Sequence, residues 1–259
     1  EKKIALINRD GTMNANAGPY QGLFVSQARR KIIEDLQKLC VVQKIETLKH
    51  TVNAHERCGT VVEYLTSVQW FIRYLDLKEN FLELGEQLHW YPEFMKLRYA
   101  NWVRGLKWDW CISRQRHFGI PFPVWYCASC NAVKLADEKQ LPVDPLSDGP
   151  KGNCEQCGGK EFVPEKDVLD TWATSSLTPL IAAKLVEKHA VYKKLLPMDL
   201  RPQAHDIIST WLFYTVAKSY LHAGQLPWKN AAISGWVLDP YGKKMSKSIG
   251  NVVNPWDMM

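Results

Sequence analysis

Cys127 and Cys130 flank two residues, Cys154 and Cys157 flank two more, and 23 residues separate the pairs. Each C-x-x-C sets two thiolates on one tight knuckle, and two knuckles supply the closed tetrahedral set that structural zinc prefers. Any fold must therefore bring both knuckles to one point. The segment 127–160 that carries them is polar, with several Gly and Pro, and too small to bury an apolar core of its own. Metal ligation would supply much of its folding free energy. Redox pairs or disulfides are the competing reading of the same spacing.

The chain has 259 residues, enough for one large domain or two small ones, with 46% hydrophobic and 23% charged residues. The formal net charge of +6 is compatible with a polyanionic partner without demanding one. No apolar run of about 18 residues exists, so no membrane span is expected. The start, EKKIALINRD, has no apolar h-region of a secretory signal. Seven cysteines without secretion signals suggest a reducing, cytoplasmic compartment. The opening on an apolar stretch and the end at NPWDMM read as an internal piece of something longer. His55 and Cys58, in HERCG, form a third knuckle with zinc-like spacing but no partner pair, either half of a second metal site or a surface histidine beside a buried cysteine.

The pattern is that of an α/β protein. Residues 12–24 read as loop; SQARRKIIEDLQKL then places Ile32, Ile33, Leu36 and Leu39 at helical spacing, with Ser26 as N-cap. KIETLKHTVNAH, VVEYL and SVQWFIRYL read as strands, Asn80 to Trp110 as helical, and CISRQRHFGIPFPVWYC as extended. LLPMDLRPQA reads as a strand leading into a helix over 205–222 that Gly224 ends. AAISGWVLD then forms a buried strand running into a lysine loop. Strand, helix, strand and loop make a parallel sheet with its site at the carboxyl ends of the strands.

A pocket is expected where helix 205–222 begins. Ile207 and Trp211 are four apart and share one face beside His205 and Asp206. Asp206 suits ribose hydroxyls. Trp172, in DTWATSS, is a third wall, with Asp170, Ser175 and Ser176 as polar companions. Core packing explains the same aromatic residues equally simply. In DPYGKKMSKSIGN, Lys244 and Lys247 are flexible point charges suited to phosphate oxygens, and Gly242 and Gly250 permit positive φ. A solvated lysine-rich turn is the plain alternative.

KMSKS at 244–248 resembles the signature loop of class I aminoacyl-tRNA synthetases. WCISRQRHFGIPFPVWYC, DVLDTWATSSLTP and LRPQAHDIISTWLFYT narrow the resemblance to the valyl-tRNA synthetases, in their archaeal-like form, and HERCGT, VEYL and QWF also match. The resemblance covers essentially the whole chain. It implies the second half of a Rossmann-type catalytic domain with a small zinc-knuckle insertion and the tail of an editing domain. By it, residues 1–55 end the editing domain, 56–126 return into the catalytic domain, 127–160 are the zinc insertion, and 161–259 are the second catalytic half, ending after the KMSKS loop.

The reaction implied is ATP-dependent: valine and ATP give valyl-adenylate and pyrophosphate, and valine then passes to tRNA(Val). Lys244 and Lys247 match the catalytic loop lysines. Lys244, Ser246, Lys247, Asp206, His205, Gly235 and Val237 match the ATP site, Ser234 to Val237 being the strand near the adenine. Trp172, Ile207 and Trp211 match the valine pocket, and Cys127, Cys130, Cys154 and Cys157 a structural zinc. ATP as substrate, Mg2+ and Zn2+ are the implied small partners. Editing of mischarged threonine is needed because an apolar pocket cannot strongly reject an isosteric hydroxyl. The family's HIGH signature is absent from these residues, Phe118 replaces a common tryptophan, and Ser209 stands where arginine is frequent. Without that half-site the chain alone is expected to be inactive. The alternative function is a non-catalytic, zinc- and tRNA-binding paralogue.

Overall fold

The computed structural model describes residues 4–55, 58–254, 256 and 259. The chain divides into two units, Glu1–Val68 and Gln69–Met259.

In the first unit, isolated bridges Ile7↔Met13 and Thr12↔Phe24 close the loop over 12–24, and helix α1 (Val25–Lys38) follows. Its cap is Phe24 rather than Ser26, which lies inside the first turn; the Gln27 carboxamide oxygen accepts the Phe24 N–H at 3.1 Å. Lys31 pairs with Asp35 one turn on, at 3.3 Å. The expected apolar stripe faces outward: Ile32, Ile33, Leu36 and Leu39 are 39–70% exposed. The strand expected over KIETLKHTVNAH is reduced to a single bridge, Ala54↔Val61. His55 N–H to Thr60 O and Gly59 N–H to His55 O, both 2.8 Å, turn the chain at this point.

The second unit begins with β1 (Phe71–Ile72), α2 (Lys78–Gln87), β2 (His89–Tyr91), α3 (Met95–Gly105), β3 (Trp110–Cys111) and β4 (Ser113–Arg114). The helix expected from Asn80 to Trp110 is thus two helices with a short strand between them, of which Trp90 is buried. His89, Trp90 and Tyr91 are bulky residues that suit a sheet, and Pro92 lacks the N–H that a continuing helix needs. Then come β5 (Val124–Cys127), β6 (Val133–Leu135), β7 (Phe162–Pro164), β8 (Val168–Leu169), α4 (Thr171–Ser175), α5 (Thr178–Leu185), β9 (Met198–Ala204), α6 (Phe213–Ala223) and β10 (Trp228–Ser234). Helix α6 ends at Gly224, as its sequence predicts.

Strands β2, β10 and β9 form a parallel sheet with β10 in the middle, Ala231 opposite Trp90 and Arg201, and Ser234 opposite Ala204. Antiparallel β6, β5 and β7 carry the cysteine segment, and short antiparallel pairs β1–β3 and β4–β8 bind the intervening chain. Helices α2, α3 and α6 pack over a core centred on Phe213. Its ring meets Tyr74 at 5.7 Å, Phe81 at 5.6 Å and Tyr99 at 6.1 Å, the first two edge-on. Phe81, Val103, Ile208, Leu212, Phe213 and Ala231 are fully buried, which fixes α6 on the sheet and so fixes what lies at its start.

Candidate active site and metal centre

The carboxyl ends of β9 and β10 lie side by side because Ser234 is in register with Ala204. The residues that leave those ends therefore meet. His205 and Trp236 have ring centroids 4.6 Å apart, and His205 Nδ1 stands 3.3 Å from the Ser234 carbonyl oxygen. Asp206 Oδ2 is 3.7 Å from Lys244 Nζ, and that ammonium sits 5.8 Å above the Trp236 ring. His205, Asp206, Trp236 and Lys244, from two crossovers and one loop, thus form one polar ledge at the end of the parallel sheet. The strand expected through Asp239 stops at Ser234; Gly235 and Val237 lie on the exposed segment beyond it. That early ending frees the chain to fold back as the lysine loop.

The loop is braced from within. The Asp239 carboxylate, 8% exposed, accepts the N–H groups of Tyr241 (2.9 Å) and Lys243 (2.7 Å) at Oδ1. Its Oδ2 accepts the Asn251 amide at 2.9 Å. Asn251 accepts the Ser246 N–H at 2.9 Å and donates to the Lys244 carbonyl at 3.2 Å. The Asn251 hydrogen bond, with the two backbone N–H groups, holds the Asp239 carboxyl below the usual carboxylate range. Ser246 and Ser248 hydroxyls share a 2.8 Å bond. Gly242 and Gly250 both take φ of +75°, the left-handed geometry their positions predict. Lys243, Lys244 and Lys247 remain exposed, and Lys247 has no hydrogen bond or ion pair among the described residues. Asp239 and Asn251 were not singled out from sequence, although Asp before Pro-Tyr-Gly is a recognisable Asx-turn signal.

Trp211 is held on every side. A π-helical turn at Ile208–Leu212 sets it, Trp228 stacks on it (5.2 Å, 7°), and the Arg201 guanidinium carbon lies 3.6 Å from its ring centroid. Its indole N–H donates to the Ser175 carbonyl at 3.3 Å. With Trp228 and Arg201 against its ring and only 8% of the residue exposed, Trp211 leaves little surface to a ligand. Trp172 and Ile207 are half-buried and pack against the same core. Asp170, 4% exposed, pairs with Arg114 at 3.2 Å and leads into α4, which carries Trp172. Sequence reasoning passed over Arg201 and Arg114, whose partners are remote in the chain. Burial lowers the Arg201 pKa, and among the described residues no carboxylate pairs with it.

The four sulfurs of Cys127, Cys130, Cys154 and Cys157 all lie within 4.8 Å of one another, with Cys127 Sγ 3.5 Å from Cys157 Sγ and Cys130 Sγ 3.6 Å from Cys154 Sγ. Tetrahedral zinc with Zn–S of about 2.3 Å requires sulfur separations of about 3.8 Å, so the cluster fits that ion. The backbone N–H groups of Cys130 and Ser129 bring the Cys127 thiol down to about 6, and those of Cys157 and Gln156 lower Cys154. Gly159 closes the cage: a Cβ there would meet Cys127 Sγ at 3.1 Å and Cys157 Sγ at 3.3 Å. In the other knuckle, His55 Nδ1 is 3.3 Å from Cys58 Sγ, and the Thr60 hydroxyl lowers the Cys58 thiol. Among the described residues no third ligand joins that pair. No described helix is long and apolar enough to cross a membrane.

The chain is similar to valine–tRNA ligases. It is 55% identical to that of Thermoplasma volcanium over 248 residues, covering 96% of this chain and 31% of the relative. It is 54% identical to that of Thermoplasma acidophilum over 253 residues, covering 98% and 32%. For Picrophilus torridus the figures are 53% over 235 residues, covering 91% and 30%. The chain therefore spans about a third of the length of these relatives. Residues 10–259 match the family described as tRNA synthetases class I (I, L, M and V). A parallel sheet, a braced KMSKS loop at its carboxyl edge and this match over nearly the whole chain place the protein among the class I tRNA synthetases.

Proposed function

We propose that the chain is the part of a valine–tRNA ligase that holds the phosphates of ATP and the side chain of valine during formation of valyl-adenylate, before transfer to tRNA(Val). The observation that carries this reading is the meeting of His205, Asp206, Trp236 and Lys244 at the carboxyl ends of β9 and β10. A nucleotide laid across that edge has an aromatic ring for its base, a carboxylate for its ribose and lysines for its phosphates. In these roles His205, Gly235 and Val237 border the adenine, Asp206 takes the ribose, and Lys244, Ser246 and Lys247 face the phosphates.

Lys244 and Lys247 act where negative charge grows, on the departing pyrophosphate, and such stabilisation raises rate rather than ground-state affinity. Mg2+ accompanies ATP as its counter-ion. Trp172, Ile207 and Trp211 make an apolar pocket for the branched side chain of valine. Zinc on the four cysteines is structural, since the set is closed and leaves no open position. Residues 1–55 are assigned to the end of an editing domain on the resemblance alone; hydrolysis of threonyl-tRNA(Val) by the protein that carries them tests this.

The test of the central reading is valine-dependent ATP–pyrophosphate exchange by the whole protein containing this chain. Lys247→Ala should lower exchange about 100-fold or more with a much smaller change in valine KM. Exchange that ignores valine, or an unchanged rate in Lys247→Ala, sinks the assignment. Loss of all exchange with tRNA binding retained would favour the non-catalytic paralogue.

A further inference from the structure

Between the end of α3, β3 and α6 lies a cleft of about 450 Å³ that shares with the site above only Arg114, the partner of Asp170. Its walls are aromatic: Tyr74, Trp102, Trp108, Trp110 and Tyr214. Trp110 and Tyr214 stack face to face at 3.8 Å and 3°, so one face of each is spent. Trp108 is 72% exposed and Trp102 is 38% exposed, leaving open ring surface at the mouth. Trp110 contributes a buried indole N–H without a partner.

The charges around the cleft are unevenly spent. Lys96 is paired with Glu86 and Arg114 with Asp170, while the Lys78 ammonium donates to the carbonyls of Arg104 and Leu106. The Asp109 carboxylate accepts the N–H groups of Tyr74 and Leu75, which lowers its pKa. Arg98 and Lys107 are exposed, with no acidic partner among the described residues. Arg98 lies one turn before Trp102 on the same face of α3. The free positive charge therefore runs from α3 to the residue beside Trp108, next to the aromatic cleft.

We propose that this cleft binds one unpaired base of the RNA substrate, stacked on Trp108, with Lys107 and Arg98 on the flanking phosphates. Open aromatic faces inside a basic track are what single-stranded nucleic acid requires, because every base has a face to stack and every linkage carries a charge. A free mononucleotide would fill the cleft but leave Arg98 unused. The proposal rests on the tRNA-ligase reading for the identity of the RNA, and uses none of the residues assigned to the adenylate.

The experiment compares the whole protein carrying this chain with Trp108→Ala, Trp108→Phe and Lys107→Ala, measuring tRNA(Val) Kd, valine-dependent ATP–pyrophosphate exchange without tRNA, and AMP binding. Trp108→Ala should raise the tRNA Kd about tenfold and Trp108→Phe should restore most of the loss. Lys107→Ala should make the slope of log affinity against log salt shallower by about 0.7. Exchange should be unchanged in all three. An unchanged tRNA Kd in Trp108→Ala overturns the proposal, as does exchange that falls in parallel with tRNA binding, which would mark a structural role. Weakened AMP binding with intact tRNA binding would instead assign the cleft to a free nucleotide, and the proposal falls. Absence of exchange in the unsubstituted protein would count against the ligase reading while leaving the RNA-binding comparison intact.

Discussion

Lys244 Nζ stands 3.7 Å from Asp206 Oδ2, joining the lysine loop to the first residues after β9. The lysine is 67% exposed and the carboxylate 29%, so the pair is solvent-screened and worth little as stability. Its significance is geometric: the proposed ribose ligand and a proposed phosphate ligand are already in contact, and a nucleotide must part or bridge them. Asp206→Asn should therefore leave the melting temperature nearly unchanged while raising the ATP KM in pyrophosphate exchange. A large drop in melting temperature would show that the pair is structural.

Asp239 makes the loop sensitive to acid. Its carboxyl pKa is lowered by Asn251 and by the N–H groups of Tyr241 and Lys243. A carboxyl depressed in the folded state contributes stability that is complete above its unfolded pKa, about 3.9, and is lost as pH falls through the lower folded value. The N–H groups of Tyr241 and Lys243, which Asp239 accepts, should keep their hydrogen-exchange protection down to about pH 4 and lose it at lower pH. Asp239→Asn should show less protection at every pH and no acid step; equal protection in the two proteins would remove Asp239 as the brace.

Zinc removal should act locally. Chelation, or Cys154→Ser, is expected to unfold residues 124–164 while α2, α3 and α6 keep their hydrogen-exchange protection, because the aromatic core does not include the cysteines. Thiols must be deprotonated to bind, so zinc should be retained at neutral pH and released as acid protonates the four cysteines. Gly159→Ala should weaken zinc retention by crowding two of the sulfurs. Protein free of zinc after purification under reducing conditions would contradict the assignment.

Arg201 should matter through Trp211. A cation lying 3.6 Å from the indole centroid with little solvent contributes on the order of 1–2 kcal/mol. Arg201→Met should cost about that much in urea denaturation and raise valine KM more than it lowers kcat, because the ring proposed for the valine pocket loses one of its supports. Arg201→Lys should not restore KM, since an ammonium does not stack as the planar guanidinium does. A kcat loss without a KM change would mean that Trp211 is not part of the valine pocket.

Several of these features are legible from local patterning. The C-x-x-C spacing anticipates a knuckle because two residues allow one tight turn and no more, and the lysines and glycines of 239–251 describe an exposed, phosphate-suited loop. The apolar residues of α6, followed by Gly224, define a helix and its end by periodicity and capping. The first-unit strands do not form: among the described residues, 44–55 find only the single bridge Ala54↔Val61, and an unpaired strand leaves its backbone groups to water.

The sequence alone thus determined the paired cysteines, the lysine-rich loop and the family resemblance, all of which depend on residues close together in the chain. The tertiary structure decided which distant residues meet. His89–Tyr91 became a strand because β10 offered it a parallel edge, overriding the helical tendency of its flanks. Ser234 in register with Ala204 brought Trp236 to His205 and Lys244 to Asp206. Arg201 and Trp228 closed on Trp211, a meeting that no spacing rule contains. Propensity and spacing act over a turn or a hairpin, whereas side chains 20 or more residues apart meet only through the packing of whole elements, and that is a property of the folded core.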